Sequence, residues 1–152
     1  MVPRLLPEDF KDFIRSLNGH NVRYILLGGW AVGIYGNPRA TKDIDFWVAV
    51  DNANIARLKE ALHHFGAPTV EDSVFQEIGN VFRLGESPIQ IDVINKADGI
   101  DFEPCYARRN VILVEGMEIS VISKEDLIVN KKASGRHRDL ADVEFLEEEE
   151  PS

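Results

Sequence analysis

The sequence predicts a single α/β domain in which helices pack on one twisted sheet. Its 152 residues, 44% of them hydrophobic, suffice for one globular domain with one core. Patterns typical of strands and of helices alternate along the chain, and no internal repeat or low-complexity linker divides it. We expect one domain over residues 1–146 and a disordered acidic tail over 147–152.

The first half of the chain combines helical and extended hydrophobic patterns. Hydrophobic residues from Phe10 to Leu17 recur at helical spacing, and the dipeptide Asn18–Gly19 ends that pattern. A β-rich run then ends at two adjacent glycines, which indicates a tight turn before a short apolar helix. The predicted elements are a helix over residues 8–17, a strand over 22–27, a helix over 30–35, a strand over 43–50 and a helix over 55–65.

The second half is predicted to contain two further strands, a hairpin and two helices. Glu115–Gly116 has the composition of a turn between the two strands of the hairpin. Ser123 with Asp126 three positions later is typical of a helix N-terminus, and Gly135 interrupts the helix that follows. The predicted elements are strands over 74–84, 89–94, 111–114 and 117–121 and helices over 124–134 and 138–146.

Charge and cysteine content argue against several classes of protein. The net charge of -9 repels polyanions, which argues against a general nucleic-acid coat protein. The single cysteine, Cys105, cannot form an internal disulfide, which suits a reducing compartment, and we expect a cytoplasmic protein. We expect no export signal and no membrane anchor, because no apolar run approaches membrane-spanning length.

The strongest chemical signal is a pair of aspartates, Asp43 and Asp45, at the start of a predicted strand. Side chains at positions i and i+2 of a strand point to the same side, whereas Ile44 and Phe46 point to the other. Two carboxylates so close repel each other unless they share a proton or bind a cation. Because hard oxygen ligands favour Mg²⁺ or Mn²⁺, we expect Asp43 and Asp45 to be metal ligands.

A third acid and the glycine turn complete a candidate nucleotide site. Asp92 lies in a strand between hydrophobic residues, where a buried acid needs a partner or a cation, and we expect it to be the third metal ligand. We expect all three acids to be catalytic, with Asp92 helping to activate the attacking hydroxyl. The alternative is a structural acid paired with Lys96 or Arg83. Gly28 and Gly29 would let the backbone approach a phosphate closely.

The order of these motifs resembles the DNA polymerase β-like nucleotidyltransferase superfamily. That pattern is a Gly-Gly or Gly-Ser turn, then two aspartates separated by one residue on the next strand, then a third acid on a later strand. Residues 28–32 and 37–45 resemble most closely the abortive-infection (AbiEii-type) toxin branch, and lincosamide-modifying enzymes share this style of glycine motif. The resemblance implies a minimal nucleotidyltransferase fold, which is a mixed twisted sheet with flanking helices.

The resemblance extends towards the end of the chain. Residues 126–142 are similar to the closing motif of that branch, in which a lysine and a later aspartate contribute to nucleotide binding and catalysis. The resemblance implies these roles for Lys131 and Asp142. The alternatives are a surface position for Lys131, with its aliphatic stem on apolar side chains, and an exposed helical position for Asp142 or Asp139.

Three further residues are candidates for nucleotide binding. Arg39 and Lys42 flank the two aspartates and would hold the β- and γ-phosphates, and the alternative is that both are merely solvated. Trp30 is either a wall of the nucleotide pocket or a buried helix residue.

The predicted activity is metal-dependent transfer of an NMP group from an NTP, such as ATP, to a hydroxyl acceptor. The acceptor would be a tRNA, a protein or a small molecule. Many relatives carry a helical acceptor domain for which we expect no room here, so a partner, a second copy of the chain or an unusually open cleft would recognise the acceptor. The resemblance also implies a toxin–antitoxin component, with a cognate antitoxin or a homodimer as partner. The alternative is a non-catalytic nucleotide- or partner-binding protein of the same fold.

Overall fold

The computed structural model describes residues 7–36, 43–86 and 89–148, which form one six-stranded sheet flanked by helices. The strands are β1 (Tyr24–Leu27), β2 (Asp43–Val48), β3 (Val81–Glu86), β4 (Ile89–Ile94), β5 (Asn110–Val114) and β6 (Met117–Val121). The helices are α1 (Glu8–Gly19), α2 (Gly28–Ile34), α3 (Asn52–Phe65), α4 (Ser73–Gln76), α5 (Phe102–Ala107), α6 (Lys124–Ser134) and α7 (His137–Glu148).

The sheet is mixed, which confirms the predicted fold class. Its strand order is β3-β4-β2-β1-β6-β5. β2 runs parallel to β4 and antiparallel to β1, and β1 runs parallel to β6. The antiparallel hairpins β3–β4 and β5–β6 form the two edges. Strand β2 is hydrogen-bonded to β1 on one side and to β4 on the other. Its backbone is therefore fixed, and so are the positions from which its side chains project.

The hydrophobic core includes a cluster of aromatic rings from β2, α1 and α3. The ring of Phe13 in α1 lies 5.2 Å from that of Phe46 in β2 and 5.1 Å from that of Phe65 in α3, between centroids. The Ser16 hydroxyl donates a hydrogen bond to the Ala61 carbonyl and ties the two helices together. Each buried ring contributes about 2 kcal/mol relative to exposure. This packing fixes one side of β2 and leaves the other side for polar groups.

The predicted strand over residues 74–84 is wrong in its first part. Residues 73–76 form the short helix α4, and β3 begins only at Val81. Gly79 adopts a φ of +102°, and the side-chain amide of Asn80 donates a hydrogen bond to the Val74 carbonyl. These two features close a turn that alternation of residue types does not reveal.

Helix α5 has no counterpart among the predicted elements. It packs through Phe102, whose ring lies 5.3 Å from that of Trp47 in an edge-to-face arrangement. Pro104 lies in its first turn, where the missing N–H has no helical partner to lose. The helix is short, so long-range contacts rather than periodicity define it.

The C-terminal helices follow the predicted caps and extend further than predicted. The Ser123 hydroxyl accepts a hydrogen bond from the Asp126 amide, and Gly135 ends α6 at a φ of +67°. α7 continues through Glu148, so residues 147 and 148 of the predicted tail are helical, and the remaining tail lies outside the described residues. Within the described ranges, no helix combines the length and the hydropathy needed to cross a membrane.

Candidate active site

The sheet brings the three predicted acids onto neighbouring strands. Asp43 and Asp45 lie on β2, and Asp45 is the register partner of Asp92 on β4. Ile44 and Phe46 are fully buried, so the pleat of β2 directs both of its acids to the opposite side. We call Asp43, Asp45 and Asp92 the strand side of the site. Their metal-binding and catalytic roles stay predictions.

Asp45 lies against the first residue of helix α2. Gly28 follows β1 directly and has a φ of +70°, in the left-handed region. A Cβ atom at this position would overlap Oδ2 of Asp45. Glycine is therefore favoured both by the backbone conformation and by the close approach of the carboxylate, which an added Cβ would displace. The predicted glycine turn is the start of α2, and the predicted phosphate contacts of Gly28 and Gly29 stay predictions.

The electrostatic surroundings of Asp45 oppose its ionisation. Burial, and then the charges of Asp92 and Asp43, raise the pKa of Asp45 from 3.8 to about 6. Lys131 and Arg136 lower this pKa but do not cancel the effect. A raised pKa means that the carboxylate lacks enough neighbouring positive charge. An added cation would therefore favour the ionised form.

Asp92 is buried and has an ion-pair partner on the neighbouring strand. Arg83, its register partner on β3, donates from Nε to Oδ1 of Asp92 at 2.9 Å, and Nη2 lies 3.5 Å from Oδ2. The side-chain amide of Gln90 lies 3.3 Å from Oδ1. The ion pair with Arg83 that was the structural alternative for Asp92 is thus present. Asp92 also lies beside Asp45, as a metal ligand would.

Lys131 is buried within a second group of charges, on helices α6 and α7. Its side chain is 7% exposed, and Nζ lies 3.0 Å from Asp139 Oδ1 and 3.3 Å from Asp142 Oδ2. The surface alternative for Lys131 is therefore wrong. The expectation that Asp139 or Asp142 is an exposed helix acid is also wrong, because the two residues are 1% and 2% exposed. The turn at Gly135 folds α7 back onto α6 and buries all three.

Asp139 holds this group together with both carboxylate oxygens. Oδ2 accepts hydrogen bonds from Ser134 Oγ at 2.5 Å and Arg136 Nε at 2.7 Å, while Oδ1 accepts from Lys131. Burial opposes ionisation of Asp139, but these three donors outweigh burial and hold its pKa well below the usual range. We call Lys131, Ser134, Arg136, Asp139 and Asp142 the helix side of the site.

A cavity of about 410 Å³ lies between the two sides. Asp45 lines it from the strand side, and Lys131 and Arg136 line it from the helix side. A third wall, which was not predicted, includes Asn80, Lys96, Asp98 and Asn130. Asn130 directly precedes Lys131 in the closing motif, so the sequence could have indicated it. The other three residues lie in segments that contain no motif.

Trp30, another predicted nucleotide contact, is not among the described residues that line the cavity. Trp30 is 6% exposed and packs edge-to-face on Phe10, with ring centroids 5.8 Å apart. This position supports the buried alternative for Trp30. Arg39 and Lys42 lie outside the described residues.

The strand side fits a divalent cation by its donor chemistry. Carboxylates from two neighbouring strands lie side by side, and their mutual repulsion contributes to the raised pKa of Asp45. Carboxylate oxygens are the protein ligands that Mg²⁺ prefers. Across residues 7–36, 43–86 and 89–148, no group of three or more His, Cys, Asp or Glu is already spaced to hold a metal ion. Metal binding therefore requires adjustment of these side chains.

The fold is similar to solved structures of nucleotidyltransferases. The lincosamide antibiotic adenylyltransferase LnuA, solved with lincomycin, is 17% identical with a TM-score of 0.62 over 94% of this chain and 97% of that chain. The antibiotic-resistance factor ANT(2'')-Ia is 14% identical with a TM-score of 0.62 over 91% of this chain and 80% of that chain. An antigenic nucleotidyltransferase-like protein from Paracoccidioides brasiliensis is 18% identical with a TM-score of 0.55, over 91% and 74%.

At these identities the structural similarity shows a shared fold, and the family follows from sequence. No protein with a curated description matches the chain. Residues 8–147 match the family described as nucleotidyltransferase of unknown function (DUF6036). That match includes both sides of the site and nearly the whole chain. The chain therefore belongs to this nucleotidyltransferase family.

Proposed function

We propose that the chain catalyses metal-dependent transfer of a nucleoside monophosphate from an NTP to a hydroxyl acceptor, with release of pyrophosphate. The position of Asp45 carries this proposal. It lies beside Asp43 and Asp92, and it lines the same cavity as Lys131 and Arg136. This reaction has two electrostatic requirements, which are carboxylates that bind a metal ion and basic side chains that bind the phosphates.

Asp43, Asp45 and Asp92 are the proposed ligands of Mg²⁺ or Mn²⁺. When bound, the metal would neutralise charge that develops at the α-phosphate and make the acceptor hydroxyl more acidic. Asp92 would accept the proton of that hydroxyl. The hydroxyl oxygen forms a bond to the α-phosphorus, and the bond from this phosphorus to the bridging oxygen breaks as pyrophosphate leaves.

The helix side supplies positive charge for the phosphates. The Arg136 side chain is 69% exposed and borders the cavity, so its guanidinium can contact an anion while Asp139 holds its Nε. Lys131 is a buried positive charge whose ammonium group forms ion pairs with Asp139 and Asp142. We propose that these residues, with the backbone amides of Gly28 and Gly29, hold the phosphates, and that Arg39 and Lys42 assist them.

The proposed acceptor is a tRNA, a protein or a small molecule. LnuA is named as a lincosamide antibiotic adenylyltransferase, and ANT(2'')-Ia was solved with adenylyl-2''-tobramycin, so hydroxyl-bearing antibiotics belong among the acceptors to test. An AbiEii-type toxin role with a cognate antitoxin or a homodimer, use of ATP and a cytoplasmic location are further parts of the proposal.

A second candidate function is nucleotide or partner binding without turnover. The observation that favours it is the ion pair between Arg83 and Asp92, which neutralises one of the three acids within the protein. A protein of this kind would bind an NTP in the presence of Mg²⁺ and transfer nothing.

The test is incubation of the protein with each α-³²P-labelled NTP, Mg²⁺ or Mn²⁺, and separate pools of tRNA, protein extract and hydroxyl-bearing antibiotics. Label transfer to one pool that is lost in Asp45→Asn and kept in Asp12→Asn supports the enzyme. Asp12 is an exposed acid of α1 that pairs with Arg15, so it controls for loss of charge. NTP binding by calorimetry without any transfer supports the binding protein and contradicts the enzyme.

A further inference from the structure

Arg83 lies at the edge of the sheet beside the strand side. It belongs to edge strand β3, and its guanidinium contacts both carboxylate oxygens of Asp92. The hydrogen bond with Asp92, with smaller contributions from Asp43 and Asp45, raises the pKa of Arg83. One cation of the protein thus pairs directly with Asp92, the register partner of Asp45.

The two partners of this ion pair differ in their freedom to move. The Asp92 side chain is 8% exposed, whereas the Arg83 side chain is 58% exposed. Asp92 is fixed between strands β2 and β3, while the guanidinium of Arg83 can rotate into solvent without opening the core. The side chain of Lys131, by contrast, is only 7% exposed and is held by two carboxylates, those of Asp139 and Asp142.

We propose that Arg83 is a built-in counter-ion that competes with the divalent cation for Asp92 and withdraws when the cation binds. The inference rests on the proposed metal-dependent function. The guanidinium spans both carboxylate oxygens of Asp92, so it competes with a metal ion for their lone pairs, and each of the two neutralises the same cluster of charge. Arg83 therefore stabilises the acids in the unloaded protein and sets the cation concentration at which the site fills.

The first test measures Mn²⁺ affinity by electron paramagnetic resonance, without nucleotide. Arg83→Gln removes the competitor and is expected to lower the Mn²⁺ Kd about fivefold, the size typical of an exposed ion pair. Arg83→Lys keeps the charge but loses the two-nitrogen contact, and its Kd should lie between those of the wild type and the glutamine variant. Arg15→Gln is the matched control, because it removes the same charge from the exposed pair with Asp12 and should leave the Kd unchanged.

A second measurement observes Arg83 itself in the wild-type protein. The arginine Nε–H signal that is absent from the spectrum of Arg83→Gln is expected to shift on addition of Mg²⁺ and to saturate with the metal. This readout needs no catalytic activity. It also decides the matter if Arg83→Gln is poorly folded, because Arg83→Lys can provide the assignment.

The outcomes separate this inference from the proposed function. Equal Mn²⁺ affinity in the wild type and Arg83→Gln, or an Arg83 signal that does not respond to saturating Mg²⁺, would overturn the inference while label transfer still supported the enzyme. No Mn²⁺ binding to either protein, together with no label transfer, would contradict the proposed function and this inference with it.

Discussion

The strand side and the helix side of the cavity contain the same residue type in opposite electrostatic states. On the strand side, burial and neighbouring acids raise the pKa of Asp45 to about 6. On the helix side, three donors hold the pKa of Asp139 well below its usual range although this residue is only 1% exposed. Burial alone therefore does not decide the charge of an aspartate here. The strand side has capacity for an added cation, whereas on the helix side the carboxylate of Asp139 already has its donors within the protein.

Asp45→Asn should give the largest effect and separate activity from stability. We expect NMP transfer to fall at least about a hundredfold, because a neutral amide neither attracts the metal nor orients it as a carboxylate does. We also expect the metal-free variant to be more stable than the wild type at pH 7, by about 2 kcal/mol. Transfer assays and urea unfolding in EDTA measure the two effects.

The stability gain has a defined pH dependence. The folded-state pKa of Asp45, about 6, exceeds the value of 3.8 for an unperturbed aspartate. The folded state therefore favours the protonated form of Asp45. The stability that this preference provides is complete below pH 3.8 and is lost as pH rises through 6. The wild type and Asp45→Asn should have similar stability near pH 3.8 and differ above pH 6. A variant that is less stable than the wild type at pH 7 would contradict the interpretation of the strand side.

Asp139→Asn should damage the helix side through folding. The change leaves the buried Lys131 with one carboxylate fewer and is expected to cost about 3 kcal/mol of unfolding free energy. Glu147→Gln is the matched control, because it removes a partner from the adjacent Lys132 in a half-exposed pair of similar length. That loss should be below about 0.5 kcal/mol. Urea unfolding measures both losses. Equal losses of unfolding free energy in the two variants would show that burial of the charges around Lys131 adds nothing to the cost of removing a carboxylate.

Gly28→Ala should have a smaller effect on stability and displace Asp45. The added Cβ would overlap the carboxylate, and the φ of +70° is strained for alanine, so we expect a loss of about 1–2 kcal/mol and weaker transfer. Gly33→Ala in the same helix is the control, because a Cβ there meets nothing within 4 Å. That substitution should be neutral or stabilise by about 0.5 kcal/mol. Identical behaviour of the two variants would remove the argument for contact between Gly28 and Asp45.

The strand side was more predictable from sequence than the helix side. The two-residue period of β2 places Asp43 and Asp45 together from local sequence alone. Pairing of Asp45 with Asp92 requires the register of β2 against β4, which depends on contacts 47 residues apart in the chain. The sequence offered Asp92 only as an acid in a hydrophobic strand that needs a partner or a cation. The ion pair with Arg83 depends in turn on the register of β3. Local alternation could therefore indicate the acids, but it could not decide between Lys96 and Arg83 as the partner of Asp92.

Burial on the helix side comes from tertiary structure. The sequence leaves Lys131 and Asp139 on helices of weak amphipathic character, for which exposed positions were a reasonable expectation. Only the fold of α7 onto α6 at Gly135 brings them to 3.0 Å and removes them from solvent. The third wall was missed for a related reason, since Lys96 and Asp98 lie in an irregular segment whose path is set by the elements around it.

The most direct test of the contrast between the two sides is an NMR titration of the aspartate side-chain carboxyl carbons, with and without saturating Mg²⁺. Asp45→Asn assigns the signal of Asp45. We predict a pKa of about 6 without metal and a decrease of at least about one unit with Mg²⁺. A pKa near 3.8 that does not change with Mg²⁺ would contradict the account, because the strand side would then have no capacity for an added cation.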